Sequence, residues 1–406
     1  MTRFGCFLFL ALFYSSIIFA ADPIAYVVNA SGETLSKIDL NTGHVTNNII
    51  AVGSDIYCFP NQIIIRDTLA YVVLSGTSEI QIINLNNEST AGWIELPEYS
   101  NPFWMAFLND QYLYVTLMVN NSVAKIDVSS REIVEVIEVG QSPEGMIIYG
   151  DRAYIAVTAY DFNTYAWGQG QVVVYDCLAD TVMNDYEILT STNPQFLAID
   201  RHGIIHCICT GDYWANRGKA YRLDPVTNTI IDSKVLGGDP SLLAIGADNV
   251  AYISAGGWAD DGEVYSYNCE TFEIYHDADN PIYVDSGSMG IVAYQDTTSF
   301  ACTFGDRIFR INSQGQIVST YNVGDGPVHI DFNYRPGDAN GDWGVDVGDA
   351  VFLINRIFKN GPPPAWPGWR ANVNMDKYVN IGDAVYLVNY IFRDGSAPGI
   401  GPQIVY

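Results

Sequence analysis

Between residues 338 and 349 the chain reads DANGDWGVDVGD, with oxygen-bearing side chains at Asp338, Asn340, Asp342, Asp346 and Asp349. Counted from Asp338, these are positions 1, 3, 5, 9 and 12 of a twelve-residue loop. A hard cation takes six to eight oxygens converging on one point, and a loop of this kind supplies them at this spacing, with a backbone carbonyl from position 7. Here that carbonyl belongs to Gly344. The chemistry implied is calcium binding. A second set begins 34 residues on, with Asn372, Asn374, Asp376, Asn380 and Asp383 as donors and the carbonyl of Tyr378 at position 7. Over 338–364 against 372–398, 13 of 27 positions are identical. The first loop holds four carboxylates and the second two, so two calcium ions are expected, the second held more weakly. Position 6 calls for a left-handed residue. Trp343 and Lys377 stand there, which predicts roughly 1–2 kcal/mol of backbone cost at each.

The elements that would hold these loops are short helices. VGDAVFLINRIF places Val351, Ile354, Ile357 and Phe358 at helical spacing, and Gly361-Pro362 ends the run. IGDAVYLVNYIF repeats this as far as Gly395. Two EF-hand-like loops, each followed by one helix and closing on Asp rather than Glu, resemble a type I dockerin. That resemblance covers residues 335–406. It implies a cohesin domain on a scaffold or surface protein as partner, contacted at Val347-Gly348 and Ile381-Gly382. The insert PPPAWPGWR at 362–370 departs from the family's spacing.

The preceding three hundred residues are of another kind. An apolar strand recurs at a period of roughly 40–50 residues, the range of propeller blades: AYVVN at 25–29, AYVVL at 70–74, LYVTL at 113–117, AYIAV at 153–157, then IHCIC, AYISA and FACTF. A second strand follows each time and closes on Asp or Asn, as at Asp39, Asn84 and Asp127. A third strand and a Pro- or small-residue-led fourth complete the unit, an antiparallel blade. The N-terminus lacks the strand that should precede AYVVN, and GPVHIDF at 326–332 supplies it after the seventh unit. A seven-bladed ring closed by strands from both ends is expected, with no free edge at the join. These repeats resemble those of the YVTN family of bacterial propellers, most clearly in the first and third blades. The resemblance fades where the tyrosine becomes His206 or Ala301. It implies the fold and leaves activity open, because propellers host many unrelated functions.

Three adjacent blades lengthen the loop after their apolar strand, at 159–170, 210–218 and 255–262. Each carries a tryptophan near acids: Trp167 with Asp161, Trp214 with Asp212, Trp258 with Asp260. Flat aromatics beside carboxylates suit sugar rings, which predicts a glycan-binding rim; packing of the blade ends is the structural alternative. The five histidines show no metal-ligand spacing, and no serine-nucleophile or phosphate-loop motif is visible. His329 falls with Gln62, Trp104, Gly145, Phe196 and Leu242 at the start of the inner strands, around the channel mouth.

Formal net charge is −27, and residues 335–406 carry 7 acids against 6 bases, so the acidity belongs to the ring. Such a field repels nucleic acid and anionic membrane. MTRFGCFLFLALFYSSIIFA, residues 1–20, has the features of a secretory signal, so export with no membrane span in the mature protein is expected. The six cysteines beyond it are spread thinly and read mostly as small buried hydrophobes. The expected whole is a signal peptide, a ring over 21–334 and a dockerin-like domain over 335–406. Its expected role is that of a secreted, non-catalytic binding ring for a glycan or protein ligand. A carbohydrate-active or lactonase-like enzyme, or a structural spacer or adhesin, delivered by the same C-terminal module, are the alternatives.

Overall fold

The computed structural model describes residues 23–183, 188–257, 261–365, 367–376 and 378–399. The expected signal segment lies outside them, as do Trp258, Asp260 and Lys377. No helix among the described residues is long and apolar enough to cross a membrane.

Residues 24–332 form a seven-bladed propeller: seven antiparallel sheets whose innermost strands surround a central channel. Blade 2 shows the plan, with Pro60–Arg66 innermost, then Leu69–Leu74, Glu79–Asn84 and Ser89–Glu95. The second strand of each blade lies between neighbouring blades and is covered on both faces, so Tyr71, Val72, Val73 and Leu74 are all buried. This is why it reads as a continuous apolar run. The outermost strand has one wet face, and Glu132–Glu138 accordingly alternates exposed with half-buried residues. Blades 4 and 6 split this outer strand into two short pieces each.

The recurring Asp or Asn is a turn device. The Asp127 carboxylate accepts from the backbone N–H groups of Ser129 and Ser130, each at 3.0 Å, and Asp39, Asp176 and Asn268 repeat the arrangement. Four residues on, the chain turns left-handed at Gly43, Arg131, Asp180 and Phe272. An Asx-turn with one left-handed residue closes the hairpin to the outer strand. The Ser129 hydroxyl, which also donates to the Asp127 carboxylate at 2.6 Å, and the Ser130 N–H hold that carboxyl down at about 2.

Innermost strands open in an equally regular way. In six of the seven blades the residue before the strand is left-handed: Phe59, Asn101, Ser142, Asn193, Gly287 and Gly326. Proline, which has no N–H to give the ladder, starts the strand in five blades. Adjacent inner strands approach closely at the centre: a Cβ on Gly145 would lie 2.3 Å from the Gln195 carbonyl. The ring closes as the sequence predicts, Pro327–Phe332 pairing antiparallel with Ile24–Asn29 in blade 1. The six cysteines among the described residues are all buried and free.

After the ring come two helices, α1 (Val347–Lys359) and α2 (Ile381–Arg393). Asp346 and Asn380 cap their N-termini, and Asp349 and Asp383 complete a capping box in each. Their C-termini end in left-handed Asn360 and Asp394, one residue before the expected Gly361 and Gly395. The helices meet through Ala350, Leu353, Ala384 and Leu387, while Val351, Ile354 and Phe358 face outward. Among the seven buried residues of this core only Leu353, Val373 and Leu387 are larger than alanine. At roughly 1.5–3 kcal/mol each, they fall well short of the conformational entropy of ordering the segment.

Candidate functional site

Both C-terminal loops fold on one hydrogen-bond plan. In the first, Asp349 Oδ1 and Oδ2 accept from the backbone N–H groups of Asn340 (3.1 Å) and Asp346 (2.9 Å). Asp383 does the same for Asn374 (3.4 Å) and Asn380 (2.8 Å) in the second. Asn340 and Asn374 each donate to the carboxylate two residues on, at 2.9 Å, so the side chains at positions 3 and 5 face each other. Gly344 and Tyr378 give their N–H groups to Asp342 and Asp376. Position 6 is left-handed at Trp343 (φ 69°), as the spacing predicts, and position 4 is left-handed in both loops, at Gly341 and Met375.

The electrostatics of these loops suit an oxygen-seeking cation. Burial and the neighbouring carboxylates of Asp338 and Asp342 push the Asp349 carboxyl up to about 6. Burial, with Asp376 adding, does the same to Asp383. Asn372 is fully buried and neither polar atom of its side chain has a partner. Among the described residues no three His, Cys, Asp or Glu side chains form a metal cluster; the loop donors are instead a mixture of carboxylate, amide and carbonyl. That mixture is what a hard cation takes, and a cation would give the Asn372 Oδ1 a partner.

The first loop holds something its sequence does not announce. Arg370, fully buried, pairs with the Asp338 carboxylate and donates to Gln295 Oε1 of blade 7 at 2.6 Å. Its guanidinium lies over the rings of Tyr334 and Trp343, 5.1 and 5.5 Å from their centroids, and those two rings stack at 5.6 Å. Trp369 packs against the same aromatic cluster, which includes Phe332 and Tyr294. The insert at 362–370 therefore docks the helical segment onto the ring. Pro367 and Trp369 form a wall of the cavity of about 360 Å³ at the rear of the channel, where the inner strands end.

Trp104 divides the channel. From blade 3 its ring reaches Phe196 of blade 5 (4.9 Å) and His329 of blade 1 (5.2 Å), and it lines the cavities on both sides. Buried His329 has its imidazole pushed down to about 3, so it is a neutral packing residue. In front of Trp104 lies a cup of about 320 Å³ opening where the inner strands begin. Trp104, Phe196 and Leu242 line it; Gly145 is a point of close strand approach, and Gln62 ties blade 2 to Met105 of blade 3.

Sequence reasoning did not select the cup's polar group, Glu144. It is 2 % exposed, its Oε2 has no hydrogen-bond partner, and burial pushes its carboxyl up to about 8. Beside it Gln195 Oε1 accepts from Thr210 (2.7 Å) and Ser241 (3.3 Å), which leaves the Gln195 amide to face Glu144. The one available signal was a glutamate directly after Pro143, where the other blades place Asn, Phe, Gln, Ser, Met or Val.

The long loops do gather on this front face. Trp167 is half-buried against Tyr160 (4.6 Å) in a small hairpin, and its ring lies 6.4 Å from that of Tyr213. Trp214 is 84 % exposed at its loop tip. Asp161 and Asp212 spend their carboxylates on their own loops, accepting from Asn163 and from Trp214 and Asn216. The residue that reaches from this rim into the cup is Tyr213, one position before the expected tryptophan. Its ring is 46 % exposed, yet its hydroxyl turns inward, where burial and Glu144 push it up to about 12.

No protein-family model and no curated protein sequence matches the chain. Solved structures do. A quinoprotein alcohol dehydrogenase-like protein from Bacteroides thetaiotaomicron is similar at TM-score 0.56 and 16 % identity, over 76 % of this chain and 78 % of that one. Hydrazine synthase from Kuenenia stuttgartiensis aligns at TM-score 0.56 and 15 % identity, over 68 % of this chain and 90 % of its own. The Pan2 WD40 domain of Neurospora crassa aligns at 0.52 and 14 %, over 67 % and 82 %. At such identities, across neighbours so unlike in name, the likeness is one of fold: the chain carries a β-propeller.

Proposed function

We propose that the chain is an exported binding protein whose ring holds a ligand on its front face. In this reading the C-terminal module is a dockerin-like tether, joining the ring to a cohesin domain of an extracellular or cell-surface assembly. The ring's repeats favour kinship with YVTN propellers. One observation carries the tether: each helix exposes an apolar stripe, Val347, Val351, Ile354 and Phe358 on α1 and Ile381, Val385 and Phe392 on α2. Phe358 and Phe392 are 66 % and 64 % exposed at equivalent places in the repeat. Paired stripes of this kind mark a protein-binding surface. They begin at Val347-Gly348 and Ile381-Gly382, the positions that the dockerin resemblance assigns to the partner.

Calcium, when bound, would supply positive charge at the two loops and hold the helix starts in place. Asp342, Asp346, Asp349, Asn340 and the Gly344 carbonyl would hold one ion, with Asp338 shared with Arg370. Asn372, Asn374, Asp376, Asn380, Asp383 and the Tyr378 carbonyl would hold the other. The test is binding of the full chain to immobilised cohesin domains, with and without chelator. Calcium-dependent capture, lost in a Val351→Asp, Val385→Asp double variant, is the expected result. Capture indifferent to both chelator and variant, or none by any cohesin tested, overturns the tether.

A further inference from the structure

We propose that the front cup is a binding site for a small organic ammonium ion, seated with its charge on Glu144 and its body against the surrounding aromatic faces. The proposal deepens the reading of the ring as a binding domain and is independent of the tether.

A buried carboxyl oxygen without a partner is costly, and such groups are rare unless something fills the vacancy. Glu144 Oε2 is in that position and lines the cup. Ser288 Oγ, a hydroxyl that can accept or donate, is a second buried cup atom without a hydrogen-bond partner, and the cup's other carboxylate, Asp239, lies 3.5 Å from Arg217. Gln195 cannot serve a ligand in the same way, because its carbonyl oxygen is already taken by two hydroxyls. The site thus presents acceptors to its occupant, and one of them can carry a full negative charge.

Around these acceptors stand Phe59, Phe103, Trp104, Phe196 and Tyr213. Aromatic faces attract cations, more strongly once the cation is out of water. Phe59 is notable because the equivalent left-handed position is Asn, Ser or Gly in the five other blades that have it. An aromatic side chain tolerated in that backbone conformation, directly at the cup, points to use rather than to turn chemistry. Tyr213 is likewise left-handed, at φ 65°. The net charge of −27, lying almost wholly in the ring, draws cations toward the mouth and repels anions. A sugar fits the same cup less well: its many hydroxyls would need several polar partners, and the walls are mostly apolar.

The titratable groups facing Glu144 are Tyr213 and, across the cup, Asp239, which lies 3.5 Å from Arg217. Neither supplies a cation to Glu144. Ligand binding should therefore expel the Glu144 proton. Affinity for the cation should rise about tenfold per pH unit below about 8, level off above it, and fall once the ammonium itself loses its proton.

The experiment is calorimetric titration of the full chain with benzylammonium, with benzyl alcohol and benzoate as neutral and anionic controls of similar shape. Expected are binding of benzylammonium in preference to both controls and the stated pH dependence. Glu144→Gln should lose at least tenfold in affinity together with the pH slope. Tyr213→Ala, at a partly exposed loop position, should lose several-fold and leave the fold intact. Benzyl alcohol binding as tightly as benzylammonium overturns the proposal. So does pH-independent affinity, or no binding at ligand concentrations on the order of 10 mM. If Glu144→Gln does not fold, the wild-type pH slope and Tyr213→Ala decide alone. Oligosaccharide binding without ammonium binding ends this inference and spares the binding-ring reading; silence toward both ends both.

Discussion

Glu144, buried, and Asp331, half-buried, stand at opposite ends of the channel, and desolvation pushes both carboxyls upward, to about 8 and about 7. A carboxyl that is harder to ionise when folded stabilises the fold while protonated, and that contribution is lost as pH rises through the folded value. Thermal stability of the ligand-free chain should therefore fall between about pH 4 and pH 8 and level off above that. Glu144→Gln should remove part of the decline, raising stability near pH 9 by a few kcal/mol. Melting curves of the two proteins across that range test this; parallel curves would show that Glu144 is solvated. Arg370 presents the opposite case, a buried charge that is well paired. Arg370→Met strands Asp338 in the interior and should cost about 3–5 kcal/mol. Limited proteolysis should report it as earlier cleavage between 335 and 399 with the ring still protected. Both residues escaped the sequence because burial, not type or spacing, gives them their roles.

Turns, strands and helices were far more legible, since each follows from a local rule that repeats. Seven returns of an apolar strand and seven of an Asp or Asn at a hairpin were enough to count blades and to find the closing strand at 326–332. The twelve-residue spacing likewise located both loops and the helices after them. Helical periodicity did not say which apolar face would be covered. Val351, Ile354 and Phe358 have the spacing of a core stripe, but Ala350 and Leu353 do the packing. On the rim, likewise, sequence could not say which ring faces the cup: Trp214 is the larger and stands exposed, but the loop turns Tyr213 inward. Removing residues 327–406 deletes the inner strand of blade 1 and opens an edge. Removing only 337–406 leaves every blade complete but uncovers the surface under Trp343 and Trp369. The first truncation should abolish cooperative melting of the ring, and the second should lower its midpoint by only a few degrees. Equal midpoints would contradict the pairing of the two chain ends. In the helical segment, Asp349→Ala removes a capping box and acceptors for two backbone N–H groups. It should cost about 1–2 kcal/mol even before any cation is considered. Asn372→Ala, which removes no such bond, should cost less. Hydrogen exchange of α1 in chelator compares the two directly.

The ring as a whole has two unlike ends. Its front carries the long loops and the cup; its rear is covered by the C-terminal segment, held there by Arg370, Trp343 and Trp369. If the helical stripes take a partner, that partner sits behind the ring, and the two sites should not compete. A saturated cohesin complex should then bind benzylammonium with the affinity of the free chain, and a shift of tenfold or more would show the ends to be coupled. Trp104 adds a property of traffic. That indole stands between the front cup and the rear cavity, with Trp369 on the far wall of the latter, while Phe59 and Tyr213 line the cup itself. For a ligand seated in the cup, residence time would then depend on how Phe59 and Tyr213 swing, and exchange could be slowed by crowding those two side chains without altering a single contact at the bottom of the cup.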